Sequence, residues 1–233
     1  YNQAGYNELG DLRLDTAIKV SPRPLFVVFE GIDGAGTTTQ SSLLAQLLED
    51  RGHFPVMTRE PGGTRIGERI RSLLLDPALG ELAPVTELLL YSASRAQHVN
   101  ELILPALNEG KPVISDRFAL STMVYQGAGR GIVNSTIDVL ENITVRKCLP
   151  DVSVIIDLPV KIAFKRQEGR KKDRLEQEEE NFHNRVAQAY RAAAANHPNE
   201  SLLVDGSMGA NELAEHIYLE LCTRWQNFPF DTK

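Results

Sequence analysis

The sequence is poor in cysteine and carries no surplus of positive charge. Its two cysteines, Cys148 and Cys222, stand far apart in unrelated contexts. They form neither a CxxC pair nor a disulfide framework, and a reducing cytoplasm is the expected setting. The formal net charge of -6 excludes a general attraction to nucleic acid or anionic membrane, so neither is expected as a partner. Any phosphate must then be held by a local cluster of donors. No apolar run approaches the roughly 20 residues of a membrane span. Residues 1–24 lack the continuous apolar stretch of a secretory signal. His53, His98, His183, His197 and His216 show no metal-ligand spacing, so no zinc site is expected.

What is there reads as an ordinary globular protein, 42% hydrophobic and 24% charged, with 233 residues for one sizeable core. Short apolar runs at residues 25–29 (LFVVF), 55–58, 113–115, 152–157 (VSVIID) and 202–205 (LLVD) predict five strands. Between and after them, helices are predicted over 38–51, 66–75, 85–108, 178–195 and 211–225. This alternation implies βαβ units, a parallel sheet of about five strands and helices on both faces. Ligands bind such sheets at the carboxyl ends of the strands. Pro22 and Pro24 mark a boundary, so residues 1–24 are expected to be an extension, 25–225 the domain and 226–233 a tail.

The first strand leads into Gly31-Ile32-Asp33-Gly34-Ala35-Gly36-Thr37-Thr38-Thr39. The skeleton is glycine, four residues, glycine, one residue, then Ser or Thr, between a buried strand and a helix. Gly31, Gly34 and Gly36 let backbone N–H groups, Ala35 among them, converge on phosphate oxygens without a Cβ in the way. The helix start at Thr37, Thr38 and Thr39 adds donors and its dipole. Thr38 holds the position whose hydroxyl ligates Mg²⁺ in such loops. The lysine that reaches the β- and γ-phosphates is absent, and Thr37 stands in its place.

Four further stretches follow in order: Thr58-Arg59-Glu60-Pro61-Gly62-Gly63-Thr64, Tyr91-Ser92-Ala93-Ser94-Arg95, Asp116-Arg117-Phe118 running on to Tyr125-Gln126-Gly127-Ala128-Gly129-Arg130-Gly131, and Asp173-Arg174-Leu175-Glu176. Together with the phosphate loop they resemble the thymidylate kinase family in its bacterial form, over about residues 25–225. Thr37 is the one clear departure. The resemblance implies a three-layer α/β P-loop NTPase fold and transfer of the γ-phosphoryl group of ATP to dTMP, with Mg²⁺.

It also implies roles for residues. Asp33 contacts the acceptor's 3′-hydroxyl. Arg71 and Arg117 hold the dTMP phosphate, for which the planar guanidinium fork is suited. Asp116 serves the Mg²⁺ site with Thr38, directly or through water. Arg59 and Glu60 shape the acceptor side. Tyr91 stacks on thymine and Arg95, one turn later, donates to the base. Thr122 and Gln126 hydrogen-bond the base, and Tyr125 crowds the ribose 2′ position. Arg166, Arg170, Lys171, Lys172 and Arg174 form a basic lid over about 166–177. Arg170 or Arg174 is expected to do part of the missing lysine's work. Family members are commonly dimers, and the apolar stretch from Val85 to Leu107 is the expected interface of a homodimer. Two other readings stay open here. One is a P-loop kinase for another nucleotide. The other is a nucleotide binder that lost catalysis with the lysine.

Overall fold

In the computed structural model, which describes residues 24–145, 148–170 and 172–224, every residue of strand β1 (Phe26–Gly31) is buried. Its side chains alternate between two cores. Phe26 and Val28 face one cluster with Val99, Ile103, Ala106 and Leu107. Val27 and Phe29 face the other with Leu44, Val186 and Ile217. A strand sandwiched between two helical layers must be apolar on both sides, which is why LFVVF shows no alternation.

The five strands are β1, β2 (Val56–Arg59), β3 (Val113–Asp116), β4 (Val152–Asp157) and β5 (Ser201–Asp205). They make one sheet in the order β2-β3-β1-β4-β5, and every pair is parallel. Each expected strand is present within a residue or two. Helices α1 (Thr37–Glu49), α2 (Arg65–Leu75), α3 (Pro84–His98) and α4 (Leu104–Asn108) follow the expected pattern. The predicted helix over 85–108 is continuous but changes pitch, because a π-helical stretch Val99–Ile103 joins α3 to α4. Pro105, which has no N–H to donate, lies just beyond it. The helix α5 (Ala119–Thr122) runs likewise into a π-helical stretch Met123–Gly129.

The helices α6 (Asn134–Thr144) and α7 (Val160–Arg166) were not among the expected elements. The first is rich in β-branched residues, which disfavour helix, and it buries only Ile137 and Thr144 while Val139 and Ile143 stay exposed. The second spans seven residues, fewer than a periodic pattern needs. Helices α8 (Glu180–Asn196) and α9 (Ala210–Arg224) complete the layers. The expected extension up to residue 23, the tail 226–233, Trp225 and Lys171 lie outside the described residues.

Candidate active site

The carboxyl ends of the strands open into a cleft of about 840 Å³, a size typical of ligand sites. Of the described residues given a site role from the sequence, all line it except Gly31, Lys172 and Arg174. The phosphate loop forms its floor. The residue ahead of α1, Gly36, sits at φ 106 and offers no side-chain cap. A left-handed residue there favours glycine, and it leaves the N–H groups of the first turn facing the cleft. Gly34, at φ +85, lies so close to α7 that a Cβ would meet the Ala163 carbonyl at 2.7 Å and Gln167 Nε2 at 2.6 Å. Thr37 is buried in the loop.

Beside the loop, the Thr38 hydroxyl donates to Asp116 Oδ2 in a short hydrogen bond. Asp116 Oδ1 is buried and has no hydrogen-bond partner among the described residues. A hydroxyl and a carboxylate with an uncommitted oxygen are the hard oxygen donors that Mg²⁺ takes, its remaining positions going to water and substrate phosphates. The residues present therefore fit Mg²⁺. Among the described residues no group of three or more His, Cys, Asp or Glu could hold a metal by itself.

The next residue, Arg117, has φ 73 and is the only non-glycine among the described residues with positive φ. Such a backbone persists only where surrounding contacts hold it. Its own N–H donates to the Phe29 carbonyl at 2.8 Å. Its Nη1 donates to the Gly31 carbonyl at 2.7 Å and its Nη2 to Asp33 Oδ1 at 2.8 Å. The Tyr125 hydroxyl donates to Asp33 Oδ2 at 2.9 Å. Burial pushes that hydroxyl far up its titration range, so it stays a donor. Behind Arg117 lies Glu30, fully buried at the end of β1. It accepts from Phe118 N at 2.9 Å, Ser121 Oγ at 2.6 Å and Tyr190 Oη at 2.8 Å. Burial raises its carboxyl from an ordinary 4.5 to about 6, against the pull of those donors and the Arg117 charge. Sequence reasoning missed Glu30, Ser121 and Tyr190. The one available signal was an acid ending an otherwise apolar strand.

The far end of the cleft is walled by α3, α5 and its π-helical continuation. Tyr91 and Arg95 come from α3, and Thr122, Tyr125 and Gln126 from the other wall. The Thr122 hydroxyl is buried without a hydrogen-bond partner among the described residues. Arg95 is not the free donor that a position one turn from Tyr91 suggests. Its Nε donates to Glu60 Oε2 at 2.8 Å, its Nη2 to the Phe118 carbonyl at 3.0 Å, and its Nη1 to Glu141 in a short bond. Glu60 is itself held by His98, at 3.0 Å. Of five N–H groups, two on Arg95 stay uncommitted. Arg71 donates to the Pro61 carbonyl at 2.8 Å, and Arg59 pairs with Glu68 at 3.0 Å near the mouth.

The basic lid divides. Arg166 spans the loop and the segment after β5, with Nη2 on the Gly206 carbonyl at 2.9 Å and Nη1 near that of Ala35 at 3.3 Å. Arg170 is half-exposed and ion-paired with Glu176. Lys172 sits over the Phe164 ring, 5.1 Å from its centre. Arg174 departs from expectation. It is buried, outside the cleft lining, with Nε on the Leu74 carbonyl at 2.9 Å and Nη2 2.6 Å from Glu87 Oε2. In this structure Arg174 is thus paired with a buried carboxylate outside the cleft, which leaves Arg170 as the expected lid cation that lines it.

A sequence profile of the family described as thymidylate kinase matches residues 29–217. The thymidylate kinase of Pelobacter propionicus is 44% identical over 203 residues, which cover 84% of this chain and 93% of that protein. That of Pelotomaculum thermopropionicum is 47% identical over 184 residues, 78% of this chain and 85% of that protein. The crystal structure of thymidylate kinase from Ehrlichia chaffeensis superposes with a TM-score of 0.71 at 33% identity, covering 86% of this chain and all of that one.

Proposed function

The chain belongs to the thymidylate kinase family, and from that premise we propose how its cleft carries the γ-phosphoryl group of ATP to dTMP, giving dTDP for dTTP synthesis. One observation carries the reading: a phosphate loop and a mixed aromatic and polar pocket share a single cleft, with Asp33, Arg117 and Tyr125 joined at the meeting point. The domain is 25–225, with its lid over about 166–177.

The first-turn N–H groups of α1, with Ala35 and Thr39, cradle the donor phosphates. Thr38 and Asp116 would hold Mg²⁺. Held there, Mg²⁺ would supply positive charge to the phosphates during transfer. Arg117 and Arg71 turn their forks to the dTMP phosphate. Asp33, which now accepts from Arg117 and Tyr125, accepts from the 3′-hydroxyl instead. Tyr125 closes the 2′ side. Tyr91 stacks on thymine, and the Thr122 hydroxyl, the Gln126 amide and the uncommitted N–H groups of Arg95 meet its polar edge. Arg59 and Glu60 frame the acceptor side, Glu60 by fixing Arg95. Arg166 ties the donor loop to the segment beyond β5. With Thr37 in place of lysine, Arg170 supplies the mobile positive charge, leaving Glu176 as the lid closes. Phosphoryl transfer demands positioning and charge neutralisation more than covalent help, so this set suffices.

A homodimer completes the proposal. Ile66 and Leu73 lie seven apart on α2, Val85 and Leu89 four apart on α3, and all four are exposed. Each pair shares one helix face, and α2 and α3 pack together. Two cysteines that form no disulfide suit a cytoplasmic enzyme. Among the described residues no helix is long and apolar enough to cross a membrane.

A coupled assay with dTMP, ATP and Mg²⁺ tests the activity. Production of dTDP is expected, and nucleotide binding without dTDP would make the chain a binder instead. Light scattering of the purified protein reads the dimer, for which twice the chain mass is expected.

A further inference from the structure

Glu87 lies in the first turn of α3, fully buried. Four donors from two other parts of the chain converge on it. Gln126 Nε2 donates to Oε1 at 2.8 Å. Arg130 donates through Nε to Oε1 and through Nη2 to Oε2, both at 3.2 Å. Arg174 brings Nη2 to 2.6 Å from Oε2, a charge contact without hydrogen-bond alignment. Burial alone would raise this carboxyl. The hydrogen bonds from Arg130 and Gln126 and the charges of Arg130 and Arg174 overcome it and hold the group below its ordinary range. Glu87 is therefore a carboxylate, and a carboxylate only accepts.

That fixes which way round the Gln126 amide lies. Its NH₂ end must face Glu87, and turning it over would set Oε1 against a carboxylate oxygen. Gln126 itself is 1% exposed and lines the base end of the cleft. The end it offers a ligand is the carbonyl oxygen, an acceptor, with the second N–H alongside. A pyrimidine with an N3–H donor and a 4-oxo acceptor matches that order. A cytosine edge has an N3 acceptor and a 4-amino donor, and it needs the amide reversed.

We propose that Glu87 is a positioning residue that sets base specificity by locking the Gln126 amide, so that the site admits an N3–H pyrimidine and rejects a 4-amino one. Arg130 and Arg174 keep Glu87 charged and in place. Arg174 thereby couples the lid segment to the base-reading end. This rests on the reading of Gln126 as a base contact given above.

The experiment compares dTMP with 5-methyl-2′-deoxycytidine monophosphate, which differ only at the N3–C4 edge. Their kcat/KM ratio is measured in the wild type and in Glu87→Gln, whose side-chain amide can donate to a reversed Gln126. The ratio should fall at least about tenfold, chiefly through KM. A general loss of structure lowers both substrates together and leaves the ratio unchanged, and that result overturns the proposal. Should Glu87→Gln not fold, Glu87→Asp keeps a negative charge for Arg130 and Arg174 but shortens the side chain by one carbon, which breaks the 2.8 Å contact with Gln126. The same fall is expected there, and an unchanged ratio is again decisive against the idea. A wild type that makes no dTDP fails the functional reading itself, whereas an active wild type with an unaltered ratio in the variants fails only the role of Glu87.

Discussion

Asp33 and Arg117 meet across the strand ends with Oδ1 and Nη2 2.8 Å apart, while Arg117 also reaches the Gly31 carbonyl at 2.7 Å. The two are 84 residues apart in sequence, and their contact spans neighbouring strands β1 and β3. On the proposed reading, each is the partner the other gives up, in part, when an acceptor arrives. The cation is therefore already oriented, and little side-chain freedom is lost on binding.

Replacing Arg117 by alanine is expected to lower kcat/KM for dTMP by about 30- to 1,000-fold, or about 2–4 kcal/mol, through loss of a charge-assisted fork in a water-poor site. Steady-state kinetics on a variant shown by circular dichroism to be folded read this. Near-native activity would remove Arg117 from the acceptor site.

Tyr125→Ala should narrow the preference for dTMP over its ribose counterpart. Tyr125→Phe should keep that preference, since the ring remains and only the bond to Asp33 is lost. The ratio of kcat/KM for the two acceptors is the measurement. Equal ratios in wild type and alanine variant would assign discrimination elsewhere.

Arg170→Ala is expected to reduce kcat more than it weakens ATP binding, because the contact forms mainly in the transition state. In a Thr37→Lys background the same change should matter less. Arg174→Ala is expected to act differently, lowering thermal stability, because it strips a buried carboxylate of one of its cations. Melting curves and single-turnover rates for the three variants separate the effects. Full kcat in Arg170→Ala would end the case for compensation from the lid.

Glu30 gives a pH signature. Its folded pKa is about 6 against an ordinary 4.5, so the folded chain binds the proton more tightly. Its contribution is most favourable below 4.5, and it is lost as pH rises through 6. The loss is about 2 kcal/mol and is complete above about pH 7. Glu30→Gln should remove this slope. The difference between wild-type and variant unfolding free energies, measured in urea from pH 4 to 8, should change across that window and be flat beyond it. A difference independent of pH would mean that Glu30 titrates normally.

The sheet was legible because strands buried on both faces leave β-branched and aromatic runs such as LFVVF and VSVIID, unlike the leucine runs of α2 and α3. The phosphate loop was legible because its glycines serve backbone geometry, which fixes residue type and spacing together. Helix α6 was not, since Thr136, Ile137, Val139, Ile143 and Thr144 are β-branched and argue locally against a helix. Nor were Glu30 and Glu87, whose importance comes from partners up to 160 residues away. Arg174 and Arg170 show the limit of a charge pattern. A run of basic residues looks alike whether each one faces a phosphate or a buried carboxylate, and only the fold tells Arg170 from Arg174.

The adjacent pair Asp116 and Arg117 has one more consequence. Asp116 turns to Thr38 on the donor side, and the left-handed turn at Arg117 sends the following side chain to Asp33 on the acceptor side. On the proposed reading, a single peptide unit thus separates a side chain serving the donor from one serving the acceptor. It acts as a ruler of covalent length, insensitive to how the lid or the helices breathe. Lengthening it by one inserted residue would shift donor against acceptor by about 3.3 Å, comparable to the whole in-line distance between reacting atoms.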